Sequence, residues 1–487
     1  MSKSSIPAFL RVVGRSRRLL QVVTVACVPA LSVAQGVEPL PMSHAPASLA
    51  SANALAGVMG LREAFDAARL KDASLRATRA QTDGVAERLE QAKAQLRPNV
   101  SFSATRYDND LSRTQPGFTG QLSTTQDRYF SYSQTLQIRQ PLYRPALPLA
   151  VEQARAQIGD AEAVFEREVQ NLGVRVVESY LQVLLAQERE SLLVAQFKLT
   201  QAQLDAARKR FEGGQGIRTD IDEAQARLDL TQAQQLEASQ SRQTALLQLQ
   251  VMVQQPVQKV QPLVPAALSP DDFDAKVLAD WMGKAEQTSP EIKALRARLE
   301  AARLEVQRAQ ASHKPTLDAI AQVSRSGSEN VTSPQSSYTN RQIGLQFNLP
   351  LYAGGAVQSA VRQALAEQVR VEETLEAVRR DLSVRVQKEW RGVTEGALRM
   401  RAQMRVVSSS DQVVASVRRS YEGGVRTVLD VLNAEQQAQL ARRDLAEVQL
   451  GYVASRLRLL SLVGELNGDS WQQADRWFQA AVVSAVN

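Results

Sequence analysis

The sequence has very few of the residues on which metal and thiol chemistry depend. Cys27 is the only cysteine, and His44 and His313 are the only histidines, in 487 residues. Neither histidine has further ligand residues at metal-binding spacing, so we predict no metal site and no cofactor. Nucleophile motifs and phosphate-binding glycine loops are also missing at meaningful spacing. We therefore predict no catalytic residue and no enzyme activity.

Long apolar runs are missing too, except at the N-terminus. Residues 1–34 combine a basic segment that ends at Arg18, an apolar stretch and small residues before Gln35. This pattern is typical of a secretory signal peptide, and the short, proline-interrupted apolar stretch argues against the alternative of a membrane anchor. Cys27 lies in this segment and fits a lipoprotein site poorly. We expect cleavage near residue 34, which leaves a mature chain without cysteine.

The mature chain also lacks an excess of charge. The whole sequence has 58 basic and 51 acidic residues, and residues 1–34 contain five of the basic residues and none of the acidic ones. The remainder is almost neutral. Its charge therefore gives no support for a nucleic-acid partner.

The most informative feature present is a duplication at an offset of 210 residues. The first-half residues Phe211, Gly214, Asp220 and Ala224 recur in the second half as Tyr421, Gly424, Asp430 and Ala434. A repeat of about 200 residues is much longer than a solenoid unit, so each half is expected to be a whole structural module. We place the first repeat at 61–255 and the second at 276–464. They are flanked or joined by a lead-in at 35–60, a proline-rich linker at 256–275 and a tail at 465–487.

Each repeat predicts the same order of elements, which is helix, strand pair, long helix, glycine turn and helix. Helical periodicity covers 61–96, which has no internal proline, and a helix is predicted again at about 275–312. Alternation of apolar and polar residues predicts strands at about 99–107, 129–141, 316–324 and 341–350. The polar stretch 108–127, with its proline and glycines, is predicted to be an exposed loop.

The long helix of each repeat ends at a glycine pair. The predicted tip turns are 212–219, with Gly213 and Gly214, and 422–428, with Gly423 and Gly424. A helix of about 67 residues is roughly 100 Å long, which exceeds an ordinary globular core. An apolar stripe on the second long helix predicts lateral packing through Leu382, Val386, Trp390, Val393, Ala397 and Met400.

The residue pattern of the strands distinguishes a membrane protein from a soluble one. Ile343, Leu345 and Phe347 alternate with polar residues, as a strand does when one face meets lipid and the other water. Four strands cannot close a barrel, and open edges are not tolerated in a bilayer, so closure requires other copies of the chain. Three copies would supply twelve strands around a polar lumen. The alternative is a small soluble β-domain packed on the helices.

The element order and one segment resemble the TolC family of outer-membrane channel proteins. Residues 421–434, YEGGVRTVLDVLNA, resemble the periplasmic-tip signature of that family, and residues 210–224 resemble its first-repeat turn. The resemblance covers about 61–464. It implies a mainly α protein with a β-barrel contribution, in which a trimer forms a twelve-stranded outer-membrane barrel continued by an α-helical periplasmic tunnel. The implied partners are a periplasmic adaptor protein and an inner-membrane ABC transporter or efflux pump, besides outer-membrane lipid.

The resemblance also implies a gate at the tip. Tyr421 and Arg426 match residues that latch the inner helices to the neighbouring first-repeat turn, where Thr219 and Asp220 match the acceptors. Spacing alone favours roles as helix caps or first-turn acids for Thr219, Asp220, Thr427 and Asp430. By resemblance, Asp430 lies at the constriction of the tunnel entrance, where three copies of the carboxylate would attract cations and raise one another's pKa. Asn433 stands there in place of a second acid.

The resulting functional prediction is an outer-membrane channel with a periplasmic extension, serving as a passive exit duct for type I protein secretion. A drug or small-molecule efflux component is the alternative within the same class. A periplasmic coiled-coil adaptor is an alternative from another class, although an adaptor normally has a single helical hairpin. A soluble structural coiled coil would leave the strands unexplained.

Overall fold

The computed structural model describes residues 58–116, 118, 120–214, 216–268, 277–328 and 336–478. The predicted signal peptide and nearly all of the lead-in lie outside these ranges. The helices of the first half are α1 Leu61–Lys71, α2 Ala73–Ala94, α3 Ala146–Glu212 and α4 Arg218–Val253. Those of the second half are α5 Leu278–Thr288, α6 Pro290–Ala311, α7 Ala356–Glu422 and α8 Val428–Leu462, followed by α9 Gly468–Arg476.

Six strands complete the described part of the chain. They are β1 Val58–Met59, β2 Asn99–Pro116, β3 Leu122–Tyr143, β4 Lys259–Val260, β5 Thr316–Ser328 and β6 Ser336–Asn348. The strands β1 and β4 form a short parallel pair, and the other four form one antiparallel sheet in the order β2-β3-β5-β6. Within the described ranges, no helix is both long and apolar enough to cross a membrane.

The duplication is visible in the lengths of the helices. The long helices α3 and α7 each have 67 residues, α2 and α6 each have 22, and α1 and α5 each have 11. Each long helix packs beside a shorter helix near the sheet, and beside α4 or α8 towards the opposite end. The predicted stripe on α7 is packed inward, because Leu382, Val386, Val393 and Met400 are all buried.

The predicted single helices ahead of the strands are each broken in two. In the first half the break is at Asp72, whose side-chain carboxylate accepts a hydrogen bond from the backbone N–H of Leu75 at 2.7 Å and so caps α2. In the second half the break lies between Ser289 and Pro290. Proline has no N–H for the preceding turn, and it therefore begins α6 instead of continuing α5.

The prediction of a loop at 108–127 is wrong. The strands β2 and β3 stay paired from Asn99 and Arg139 as far as Pro116 and Leu122. Polar side chains bond across this ribbon, with Thr114 Oγ1 2.9 Å from Thr124 Oγ1. Backbone pairing stabilises a hairpin whatever the polarity of its side chains, which is why a search for apolar alternation underestimated the strands.

The four-stranded sheet has an apolar face and a polar face. The apolar face has a row formed by Val100, Ile138, Ala321 and Ile343. The neighbouring row on the polar face is formed by Ser101, Gln137, Gln322 and Gln342. Along β3, Leu136 and Ile138 of the apolar face are exposed, whereas the polar residues between them are half-buried. This arrangement is the reverse of a soluble sheet, and it contradicts a soluble β-domain packed on the helices.

The core is richest midway along the helices, where α1 and α9 meet. The Phe65 ring of α1 stacks on Trp471 of α9 with 4.2 Å between centroids. The hydroxyl of Tyr180 on α3 donates to the backbone oxygens of Met59 and Gln261, both at 3.1 Å. Met59 at the end of the lead-in and Gln261 of the linker are therefore packed against the long helix of the first repeat, and so is Phe478 of the tail, whose ring centre lies 5.4 Å from that of Tyr180.

Candidate functional site at the helical tip

The second tip turn, between α7 and α8, is fixed by its backbone. Gly424 has a positive φ of 76°. Its N–H bonds to the carbonyl oxygen of Tyr421, and the N–H of Val425 bonds to that of Ser420, both at 2.9 Å. These two bonds form a Schellman motif, which requires the left-handed backbone that glycine adopts without strain.

The first tip turn, between α3 and α4, begins in the same way. Gly214 has a φ of 71°, and its N–H bonds to the carbonyl oxygen of Phe211 at 3.0 Å. The N–H of Gly213 bonds to Lys209, as that of Gly423 does to Arg419 in the second turn. The two glycine pairs therefore give the two hairpins the same reversal of direction.

The start of α8 has a reciprocal pair of side-chain caps. Thr427 Oγ1 accepts from the N–H of Asp430 at 3.2 Å, and Asp430 Oδ2 accepts from the N–H and the hydroxyl of Thr427, both at 2.9 Å. These bonds from Thr427, with a smaller contribution from Arg426, lower the pKa of Asp430. Within one chain the carboxylate is thus held ionised by a capping box, as spacing alone predicts.

The start of α4 lacks such a cap. The residue at the capping position is Ile217, which has no side-chain hydrogen bond to the helix. Thr219 and Asp220 lie inside the first turn of α4, so the idea that either of them is the cap residue is wrong. Asp220 is an acidic residue in the first turn of α4, where its negative charge interacts favourably with the positive end of the helix dipole.

A pair of contacts that sequence reasoning missed joins the two helices of each hairpin. In the second hairpin, Arg418 of α7 donates to the Glu435 carboxylate of α8 at 2.5 Å. At the matching positions of the first hairpin, Arg208 donates to the Gln225 side-chain oxygen at 3.2 Å. The contact in the second hairpin is an ion pair, whereas the contact in the first hairpin is neutral on the glutamine side. Aligning the halves at the 210-residue offset shows only that the two contacts occupy equivalent positions, and the contacts themselves depend on how the helices pack.

The two hairpins meet through an aromatic contact that was also missed. The guanidinium carbon of Arg210, at the end of α3, lies 5.4 Å from the centre of the Tyr421 ring on α7. Arg426 lies 3.7 Å from the Asp430 carboxylate. Among the described residues of one chain, no hydrogen bond or ion pair joins Tyr421 or Arg426 to Thr219 or Asp220. The proposed latch therefore remains a prediction about contacts between copies.

The remaining predicted residue, Asn433, faces an open groove between α7 and α8. It lines this groove together with Arg405, Arg426 and Asp430. Polar groups of both charges thus share one surface at the tip. Within the part of the chain that the structure describes, no cluster of three or more histidine, cysteine, aspartate or glutamate residues could hold a metal ion.

Two helical hairpins joined to an amphipathic sheet with two open edges define a subunit of a channel. The chain belongs to the outer membrane efflux protein family, whose model matches residues 64–253 and 281–465. These two blocks correspond to the two halves of the duplication. The resemblance to the TolC family inferred from the tip segment is confirmed, and the chain is an outer-membrane protein of a transport family.

Individual relatives agree with this assignment over most of their length. The chain is 33% identical to the proteases secretion protein PrtF of Dickeya chrysanthemi, over 88% of this chain and 93% of the relative. It is 32% identical to the alkaline protease secretion protein AprF of Pseudomonas aeruginosa, over 77% and 78%. It is 25% identical to the outer membrane protein TolC of Escherichia coli, over 86% and 85%.

Solved structures share the fold at lower sequence identity. A crystal structure of CusC matches with a TM-score of 0.70 and 16% identity, over 83% of this chain and 92% of that one. The outer membrane protein VceC of Vibrio cholerae matches with a TM-score of 0.68 and 19% identity, over 83% and 96%. The predicted fold class, a duplicated helical module with a sheet that contributes to a barrel, is confirmed.

Proposed function

We propose that three copies of this chain form a passive exit duct for proteins secreted by a type I system. The observation that carries the proposal is the four-stranded sheet with an apolar face, a polar face and unpaired outer edges at β2 and β6. Hydrocarbon offers no partners for the backbone groups of these edges, so β6 of one copy pairs with β2 of the next. Three sheets close a cylinder of twelve strands, with the apolar faces towards lipid.

The helices continue this duct into the periplasm. A helix of 67 residues is about 100 Å long. Because the two hairpins lie at the end of the helices away from the sheet, their tips form the periplasmic entrance. A periplasmic adaptor and an inner-membrane transporter dock at this entrance and open it. The duct itself binds no cofactor and catalyses no reaction.

We prefer protein secretion to small-molecule efflux because two of the most similar relatives are named as protease secretion proteins. PrtF and AprF, whose names describe protease secretion, match over more than three quarters of their length at 33% and 32% identity. A wide duct has no substrate-sized pocket that could decide the cargo. The name of the family and the match to TolC keep efflux as the second candidate.

A deletion of the gene in its native host tests the proposal. The proteins of the culture medium are compared between wild-type and deletion strains by mass spectrometry, and sensitivity to a panel of antibiotics and dyes is measured in parallel. We expect one or a few exported proteins to disappear from the medium while drug sensitivity stays unchanged. The opposite result would assign the duct to efflux, and no change in either would contradict both functions.

A further inference from the structure

The apolar face of the sheet ends at a sharp boundary on the side away from the helices. The last mainly apolar row contains Phe102, Leu136, Val323 and Arg341. The next row contains Ala104, Gln134, Arg325 and Thr339, and the row after that contains Arg106, Tyr132, Gly327 and Ser337. Three successive rows therefore place one arginine each on the apolar face, immediately beyond its hydrocarbon-like part.

These arginines are exposed and are available for a ligand. Among the residues that the structure describes, no carboxylate lies within ion-pair distance of Arg325, Arg341 or Arg106, and all three side chains are exposed. Arg325 and Arg341 lie on adjacent strands at diagonal positions, and such neighbours are about 7–8 Å apart. Asp110, further out on the same face, is already 3.6 Å from Arg128.

Aromatic side chains mark the same level as a membrane interface. The Tyr132 ring covers Gly327, where an added Cβ would be 2.5 Å from a ring carbon. Arg106 lies over the Phe130 ring, 4.9 Å from its centre. Aromatic rings at the border of an apolar band are typical of membrane β-proteins, whose border residues lie at the level of the lipid head groups.

We propose that Arg325 and Arg341, which lie on adjacent strands, bind the phosphate groups of an outer-leaflet glycolipid. Guanidinium groups bind phosphate through paired, charge-assisted hydrogen bonds, and they are worth most where the surroundings exclude water. Arg325 and Arg341 are diagonal neighbours, and Arg106 lies on β2 with β3 between it and Arg325, so the cations are spread across the face and suit a head group that carries more than one phosphate. The inference depends on the proposed orientation, with the helices on the periplasmic side.

Binding of defined lipids to the purified full-length protein in detergent tests this site. The probes are lipid A with two, one or no phosphate groups, and bound lipid is counted by native mass spectrometry. We expect affinity to fall with each phosphate removed. The double variant Arg325→Gln/Arg341→Gln should bind the two-phosphate form about tenfold more weakly, because it loses charged hydrogen bonds.

Matched controls make the outcome decisive. Arg113→Gln removes a cation from the polar face of the β2–β3 hairpin of the same sheet and should leave binding unchanged, whereas Arg325→Lys/Arg341→Lys should retain part of it. The site is refuted if the Gln double variant binds as wild type does, or if wild type binds the phosphate-free lipid equally well. Inorganic phosphate that binds as tightly as the lipid would assign the site to the free anion and would also overturn the proposal.

Planar-bilayer conductance of the same preparations keeps this inference separate from the proposed function. We expect the Gln double variant to conduct as wild type does, because the substituted side chains lie outside the lumen. Unchanged lipid binding in a conducting variant refutes only the lipid site. Absence of conductance in wild type contradicts the duct itself.

Discussion

The two tip hairpins share a backbone but differ in the side chains that hold it. Both turn at a glycine pair with a positive φ at the second glycine. The second hairpin adds the capping box of Thr427 and Asp430 and the ion pair of Arg418 and Glu435. The first has Ile217 at the capping position and a neutral contact at Gln225. The two hairpins thus share the turn and differ in the charged contacts that stiffen it.

This difference has a consequence for a gate. Local opening costs least where few side chains fix the backbone, so the first turn should open locally at a lower free energy than the second. The second hairpin is suited to move as a rigid unit. A latch between copies would then join a rigid hairpin to a softer one.

The largest effect is expected when the rigid hairpin loses its latch residues. The double variant Arg426→Ala/Tyr421→Phe removes a guanidinium and a hydroxyl but keeps the ring that Arg210 covers. Individual exposed contacts are weak, but a trimer repeats each of them three times. We expect the closed-state conductance in planar bilayers to rise several-fold.

The matched control for this variant lies in the other hairpin. Arg218→Ala removes a cation from the first turn of α4, at a position outside the proposed latch. It should leave the closed-state conductance at the wild-type level. A double variant that conducts no more than wild type would show that Tyr421 and Arg426 do not hold the gate.

Cation block distinguishes the two first-turn acids. If Asp430 lines the proposed constriction, Asp430→Ala should weaken block of the conductance by divalent cations, because the variant removes all three symmetry-related carboxylates at once. Asp220→Ala, the matching change in the first hairpin, should have little effect. Asn433→Asp should strengthen block by restoring a second acid. Equal effects of Asp430→Ala and Asp220→Ala would contradict the assignment of the constriction.

The main elements of this fold could be predicted from the sequence because their signals are long and repeated. Two helices of 67 residues and four alternating strands are fixed by periodicity, and the buried stripe from Leu382 to Met400 follows from it. The outward extension of β2 and β3 could not be predicted, since it contains residues of low strand propensity such as Asn109 and Asp110. These residues are in strands because the backbones of β2 and β3 stay paired in register as far as Pro116 and Leu122.

The tip residues show a similar division. Glycine turns and the Thr427–Asp430 cap have local signatures, and both are present in the structure. The Arg418–Glu435 and Arg210–Tyr421 contacts depend on how helices lie against one another, which no local pattern encodes. Contacts between copies are a further step away, because they depend on the assembly.

Exchanging the capping residues should make the two hairpins alike. Ile217 already has the extended backbone of a cap residue, with φ −109° and ψ 151°, and Asp220 already occupies the position that completes a capping box. Ile217→Thr should therefore stabilise the first turn by about 1 kcal/mol, and Thr427→Ile should destabilise the second by a similar amount. Hydrogen exchange of the first-turn amides of α4 and α8 measures both changes. The exchange rate should fall roughly fivefold in α4 of Ile217→Thr and rise roughly fivefold in α8 of Thr427→Ile.

The pH dependence of hydrogen-exchange protection at the start of α8 provides a control for the substitutions of the capping residues. The hydrogen bonds from Thr427 lower the pKa of Asp430 in the folded state. The ionised Asp430 therefore stabilises the folded state fully above the unfolded pKa of about 3.9, and this stabilisation is lost as the pH falls through the folded pKa. Protection at the start of α8 should therefore decline only in strongly acidic solution, and less so in Thr427→Ile. Protection that does not respond to either substitution would show that the caps do not cause the difference between the hairpins.

The smallest effect is expected from exchanging the cross-hairpin contacts. Gln225→Glu should convert the neutral contact of Arg208 into an ion pair, and Glu435→Gln should convert the ion pair of Arg418 into a neutral contact. Each change should alter local stability by only about 0.5 kcal/mol, because both arginines can still donate a hydrogen bond and both arginine side chains are exposed to solvent, which screens their charge. The effects should have opposite signs in the two hairpins, and added salt should diminish them. If Glu435→Gln instead stabilised the second hairpin, desolvation of this nearly buried carboxylate would outweigh its attraction to Arg418, and the greater stiffness of that hairpin would have to come from its cap alone.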